Sequence, residues 1–254
     1  MNVIEVERCK TGIEGLDEIL NGGIPRGRVI MLVGGCGTGK TIFGSQFLYR
    51  GATEYDEPGI FVNLEEHPEK LKQDMLSIGI DLGKLEKEKK LIIVDASLSR
   101  MAFKTEGSEY TLSPEQFSVD SILALIKEAA EEIDAKRVVV DSFSALDTLI
   151  ETKKMHVGMS LREDIRRALL GINYRLQSMG LTTILINDVV GEELSTHGVE
   201  EFMVDGVISL KYQNVGPDSG RHLMVKKMRS TGHSENIHTI EFVPGTGIKI
   251  LSYS

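Results

Sequence analysis

The chain has 254 residues, 41% of them hydrophobic, and a formal net charge of −9 at pH 7, which is enough apolar material for one sizeable core and the wrong balance for gripping duplex nucleic acid over a broad face. It has no apolar run of about 18 residues to cross a bilayer, and the charged start MNVIEVERCK does not fit a secretory leader. Two cysteines, Cys9 and Cys36, are too few for a disulfide framework, so composition predicts a soluble cytoplasmic protein.

In chain order, GRVIMLVGG is a β-branched apolar run closed by glycines and predicts a strand, and TIFGSQFLYRGATEY predicts the amphipathic helix after it. GIFVNLEE predicts the next strand, and PEKLKQDMLSIG a helix with Pro68 in its first turn. KLEKEKK reads as a solvated turn, KLIIVDAS as a strand. After a loop of about 20 residues, FSVDSILALIKEAAEEI has helical spacing, and KRVVVDS, LREDIRRALLGINYRLQSMG and LTTILIND continue the alternation. Such repetition predicts a mainly parallel sheet with helices on both faces. DGVISLKY, RHLMVKKMR, IHTIEFV and GIKIL, joined by turns such as GPDSG and PGTG, predict a C-terminal antiparallel β extension. Each motif occurs once, and residues 1–254 are expected to form a single domain.

GGCGTGKT, residues 34–41, matches the phosphate-binding loop pattern in full, with a strand before it and a helix after it. Gly35, Cys36, Gly37, Thr38 and Gly39 can turn backbone N–H groups inward as an anion nest at a helix N-terminus. Lys40 can reach the β- and γ-phosphates, and the Thr41 hydroxyl can ligate Mg²⁺. Cys36 reads as a small residue tolerated in the loop. Asp141, ending KRVVVDS, supplies the carboxylate that holds the metal's water shell. The residue after it is Ser142 instead of a glutamate, so the base that activates water must come from elsewhere. Glu65 and Glu66, at the C-terminal end of the strand after the P-loop helix, open onto the same crevice, and their mutual repulsion with partial burial raises a pKa usefully. The competing reading is an acidic first turn before Pro68. Asn187 and Asp188, ending the strand after Asp141's, are candidates for sensing the γ-phosphate. Lys227 and Arg229 alternate on one strand, so both project from one face.

TGIEGLDEILNGGIPRGRVIMLVGGCGTGKT, FVNLEEHPEKL, VVVDSFSAL, HGVEEFMVDGVISL and KKMRSTGH together resemble the KaiC family of RecA-like P-loop ATPases, over residues 10–251. The resemblance implies an α/β RecA-like P-loop NTPase, assembling into a hexameric ring with ATP and Mg²⁺ between neighbouring subunits. It implies that Glu65 and Glu66 activate water. It implies that Lys227, Met228 and Arg229, with His233, reach the nucleotide of the adjacent subunit, and that Ser77 aligns with an adenine-side contact. The clock proteins of the family carry two such domains in tandem, and this chain has one. Their self-phosphorylated Ser-Thr pair falls here on Glu201 and Phe202, so self-kinase activity is not expected.

The residues predict a Mg-dependent nucleoside triphosphate site, and the resemblance implies that the nucleotide is ATP. The protein is expected to act as an ATP-hydrolysing nucleotide-state switch for an unidentified protein partner and to have no membrane role. A DNA-handling recombinase is the main alternative on this fold. Against it, the loop after Asn187 carries Glu192, Glu193, Glu200 and Glu201 and no Lys or Arg, although the loop after Asp141 has Lys153 and Lys154. A non-hydrolysing ATP-binding scaffold is the third reading, and it gives no reason to keep Glu65, Glu66, Lys227 and Arg229.

Overall fold

VIMLVG is apolar at nearly every position because the strand it forms is covered on both faces. The computed structural model describes residues 6–96, 118–145, 161–191, 193–195, 197–213 and 219–251. Most of the connection after Asp95, most of the GPDSG turn, and Lys153, Lys154 and Glu192 lie outside them. The strands are β1 (Arg8–Cys9), β2 (Ile24–Pro25), β3 (Val29–Gly34), β4 (Gly59–Asn63), β5 (Leu91–Asp95), β6 (Arg137–Asp141), β7 (Thr182–Asp188), β8 (Gly206–Gln213), β9 (Gly220–Met228), β10 (His238–Val243) and β11 (Gly247–Ile250). β1 and β2 pair with each other, and the other nine form one sheet in the order β11-β10-β9-β8-β3-β7-β6-β4-β5. The segment from β8 to β5 is parallel throughout, while β9, β10 and β11 are added antiparallel at its edge, which is the expected architecture.

The helices are α1 (Leu16–Ile19), α2 (Lys40–Glu54), α3 (Pro68–Ser77), α4 (Leu82–Lys87), α5 (Val119–Ile133), α6 (Leu161–Ser178) and α7 (Glu200–Met203). Alternate strand residues feed two cores. Ile30, Leu32, Phe61, Ile184 and Ile186 pack under Phe43 and Phe47 of α2 and Leu71 of α3. Met31, Val33, Val62, Val140 and Leu185 pack under Ile122 of α5 and Leu169 of α6. KLEKEKK departs from the expected turn: its first half belongs to α4, because Asp81 caps the helix by accepting from the Lys84 N–H (2.9 Å) and Leu82 and Leu85 are buried. Among the described residues no helix is long and apolar enough to cross a membrane.

One buried ion cluster ties the start of β6 to the C-terminal end of α2. Arg137 is fully buried, its Nε donates to Glu57 Oε2 (2.7 Å), and its Nη1 donates to the Phe47 carbonyl (2.8 Å). Gly51 makes room for it, since a Cβ there would stand 2.5 Å from Arg137 Nε. The same carboxylate also pairs with Arg26.

Candidate functional site

A parallel strand delivers its C-terminal residue to one rim of the sheet, and β3, β4, β6 and β7 bring Gly34, Asn63, Asp141 and Asp188 to the same rim. The P-loop turns there into α2. Gly37 and Gly39 hold the left-handed backbone (φ +72° and +99°) that the turn needs. Among the described residues, its own chain neighbours aside, no atom lies within 4 Å of where a Gly37 side chain would begin, so that side of the loop is open. Thr38 Oγ1 closes the turn by donating to the Gly35 carbonyl (2.9 Å), and Lys40 Nζ bends back to that carbonyl (2.8 Å).

Around this loop the carboxylates converge. Thr41 Oγ1 donates to Asp141 Oδ2 (2.7 Å), which joins a hydroxyl and a carboxylate as oxygen donors beside the nest. That donor set fits a phosphate chain with a hard divalent cation. Burial pushes the Asp141 carboxyl up to about 7, with the Thr41 hydrogen bond opposing and the charges of Glu65 and Asp188 reinforcing the rise. Burial raises Glu65 as well, with its hydrogen bond from the Ser142 hydroxyl working against the rise and the Asp188 charge working with it. Ser142, which occupies the position where many P-loop hydrolases carry a base, thus steadies the candidate base.

The adjacent glutamates point in different directions. Glu65 joins the Ser142, Asp188 and Asp141 group, whereas Glu66 Oε2 pairs with Lys70 Nζ (2.8 Å) on α3, and its backbone is held by Asn63. Asn187 and Asp188 also part. Asp188 Oδ1 pairs with Lys40 Nζ at 2.8 Å. Asn187 accepts from Ser144 Oγ (3.2 Å), follows Val33 and Leu185 onto the α5–α6 face, and its buried Nδ2 has no hydrogen-bond partner among the described residues. Ser77 ends α3 with its hydroxyl on the Asp74 carbonyl (2.6 Å). Gly79, just beyond it, packs on Gly245 of the β10–β11 turn.

Lys227, Met228 and Arg229 lie at the other rim. Met228 pairs with Gly206, which pairs with Ile30, so it stands level with the start of β3. Gly34 lies four residue steps beyond Ile30 along β3, about 13 Å, and β9 lies two strands to the side, roughly another 10 Å. Lys227 and Arg229 therefore do not reach their own P-loop. Lys227 Nζ donates to the carbonyls of Val204 (2.7 Å) and Glu201 (3.1 Å), and burial, then the neighbouring Arg229 charge, lowers its pKa. Arg229 is 56% exposed and shares the buried Asp205 with Arg28. Asp205 accepts from the Val29 N–H (3.2 Å) and from Gln177 (2.6 Å), which anchors the carboxylate beneath the cationic cluster. His233 follows β9 on this side: Ser234, next to it, donates to the Ile19 carbonyl (2.9 Å).

Sequence reasoning missed a clamp on the outer side of the P-loop. Arg221 Nε donates to the Gly37 carbonyl (3.1 Å), and its guanidinium lies between the rings of Phe242 (4.3 Å) and Tyr212 (4.9 Å). The Phe242 ring packs on Gly39, where a Cβ would come within 2.3 Å of it. A lone arginine at the start of a strand carries no local signal for this; only the β8–β9–β10 register brings the three together.

The family model for the KaiC ATPase matches residues 9–254. A UPF0273 protein of Methanopyrus kandleri is 36% identical over 246 residues, covering 96% of this chain and 92% of its own length. The circadian clock oscillator protein KaiC of Synechococcus elongatus is 35% identical over 230 residues, covering 90% of this chain but 41% of that protein. The crystal structure of a KaiC-like protein from Pyrococcus horikoshii superposes with a TM-score of 0.79 at 38% identity, over 98% of this chain and 100% of that one.

Proposed function

The chain belongs to the KaiC ATPase family, with the RecA-like α/β fold, and from that premise we propose that it is a single-domain, Mg²⁺-dependent ATPase whose active sites are completed between neighbouring copies in a hexameric ring. The observation that carries this reading is the split of the machinery. Nest, lysine, hydroxyl and carboxylates sit at one rim, while Lys227 and Arg229 sit at the other, out of reach of them. A head-to-tail contact between identical chains would unite the two sets at every interface.

In such a site Lys40 and the backbone N–H groups of the P-loop bind the phosphates of ATP. Thr41 and Asp141 hold Mg²⁺, which when bound neutralises phosphate charge. Glu65, steadied by Ser142, accepts a proton from water as the water oxygen bonds to the γ-phosphorus and the bond to the bridging oxygen breaks, giving ADP and phosphate. Lys227 and Arg229 of the neighbour stabilise the charge that builds on the transferring group, a contribution of about 10³–10⁵ in rate where an arginine acts this way. Arg221, Tyr212 and Phe242 brace the P-loop from outside, and the ring's nucleotide state is what a protein partner reads.

The test is ATP turnover by the purified protein, with and without single-stranded DNA. We expect turnover indifferent to DNA, falling by about 10²–10⁴ in Glu65→Gln as for a lost general base, and falling less in Glu66→Gln, whose carboxylate is engaged by Lys70. An equal or larger loss in Glu66→Gln overturns the choice of Glu65. Salt-sensitive stimulation by DNA would support the strand-handling alternative, and ATP binding without turnover the scaffold.

A further inference from the structure

Asp188 is assigned no step in the reaction above, yet it pairs with the P-loop lysine. β7 alternates so that Ile184 and Ile186 face α2, and Asp188, two residues on, faces the P-loop. Its Oδ1 lies 2.8 Å from Lys40 Nζ, while the same ammonium donates to the Gly35 carbonyl at 2.8 Å. The pair is asymmetric: Lys40 is 8% exposed and Asp188 42%. The lysine is therefore the fixed member and the carboxylate the one with water to move into. Beyond Asp188 the chain runs outward, with Val190 91% exposed.

A phosphate seated in the nest must take Lys40 as its counter-ion, and it arrives with Asp188, Glu65 and Asp141 already crowding the same cleft. Two anions then compete for one buried ammonium, and the repulsion between them falls on the member that is free to leave. We propose that Asp188 is an affinity-setting residue: its carboxylate holds Lys40 in the nucleotide-free protein and competes with the nucleotide's phosphates for it, weakening nucleotide binding. This rests on the reading of the site as an ATP site. Its consequence is opposite in sign to that of Lys40 and the P-loop N–H groups, because removing the Asp188 charge strengthens binding.

The experiment is equilibrium binding of a fluorescent N-methylanthraniloyl-ATP to wild type and Asp188→Asn, each with Mg²⁺ and with EDTA, alongside thermal unfolding of the nucleotide-free proteins. Asparagine keeps the shape and removes the charge. Losing a charged competitor of ordinary strength tightens Kd by about tenfold, and we expect this with and without Mg²⁺, together with a larger nucleotide-induced rise in Tm than in wild type. A residue that merely supports the fold would give weaker binding and a lower Tm. Weaker binding confined to the Mg²⁺ samples would make Asp188 part of the metal's shell, and unchanged Kd would mean the ion pair breaks at no cost; each of these overturns the proposal. If wild type itself binds no nucleotide, the ATPase reading fails instead, so the two failures are distinguishable.

Discussion

Arg229→Ala and Lys40→Ala should each abolish turnover alone and restore it when mixed. The geometry sets the expectation. Arg229 follows Met228, level with Ile30, roughly 13 Å along the strands and 10 Å across them from the P-loop. An arginine side chain reaches about half that distance, so no rotamer serves its own site. In a ring of head-to-tail contacts, each interface joins one subunit's P-loop to the next subunit's β9. With the two variants mixed in equal amounts and subunits exchanged at random, about one interface in four unites an intact P-loop with an intact arginine. Each variant alone should fall by about 10³ or more, and the mixture should recover to near a quarter of the wild-type rate per subunit. The assay is phosphate release after the two differently tagged variants have been dissociated, mixed and reassembled, with double-affinity purification proving that mixed rings form. Mixed rings that stay at the level of the single variants would refute the shared site. A monomer that turns over ATP at full rate would refute it more simply.

Two further predictions concern stability. Glu57→Gln strips the fully buried Arg137 of its carboxylate and loosens Arg26; removing one partner of a buried pair costs about 3–5 kcal/mol, to be read from the urea midpoint, and a loss below about 1 kcal/mol would mean that water reaches the cluster. The nucleotide-free protein should also lose stability as pH rises from about 4 to 7, as far as Asp141 contributes, because its folded pKa is raised from 3.8 to about 7, so the folded state keeps a proton that the unfolded state has released. Asp141→Asn should flatten this part of the Tm–pH curve and raise Tm at pH 8; a curve of unchanged slope would show that water or counter-ions relieve the crowding.

The P-loop was legible because its signal is local: glycines at positions that need left-handed backbone, a lysine and a hydroxyl at the first turn of a helix, and a buried strand before them. The strands were legible for the same reason, and KLEKEKK shows the limit, since its first half is helical through the Asp81 cap together with a core that receives Leu82 and Leu85. Glu65 and Glu66 are neighbours in the chain, and no local rule says that one turns to Ser142 and the other to Lys70. Nor does spacing alone reveal that Asp188 meets Lys40, that Arg221 reaches Gly37 between two rings, or that Lys227 and Arg229 lie at the far rim. These facts depend on strand order and register, which are set by how crossovers and the antiparallel edge pack over two cores. The sequence by itself determined the phosphate-binding loop and the alternation of strands and helices; the tertiary structure decided which side chains share one rim of the sheet and which lie at the opposite rim, because contacts between distant residues follow from packing and not from spacing.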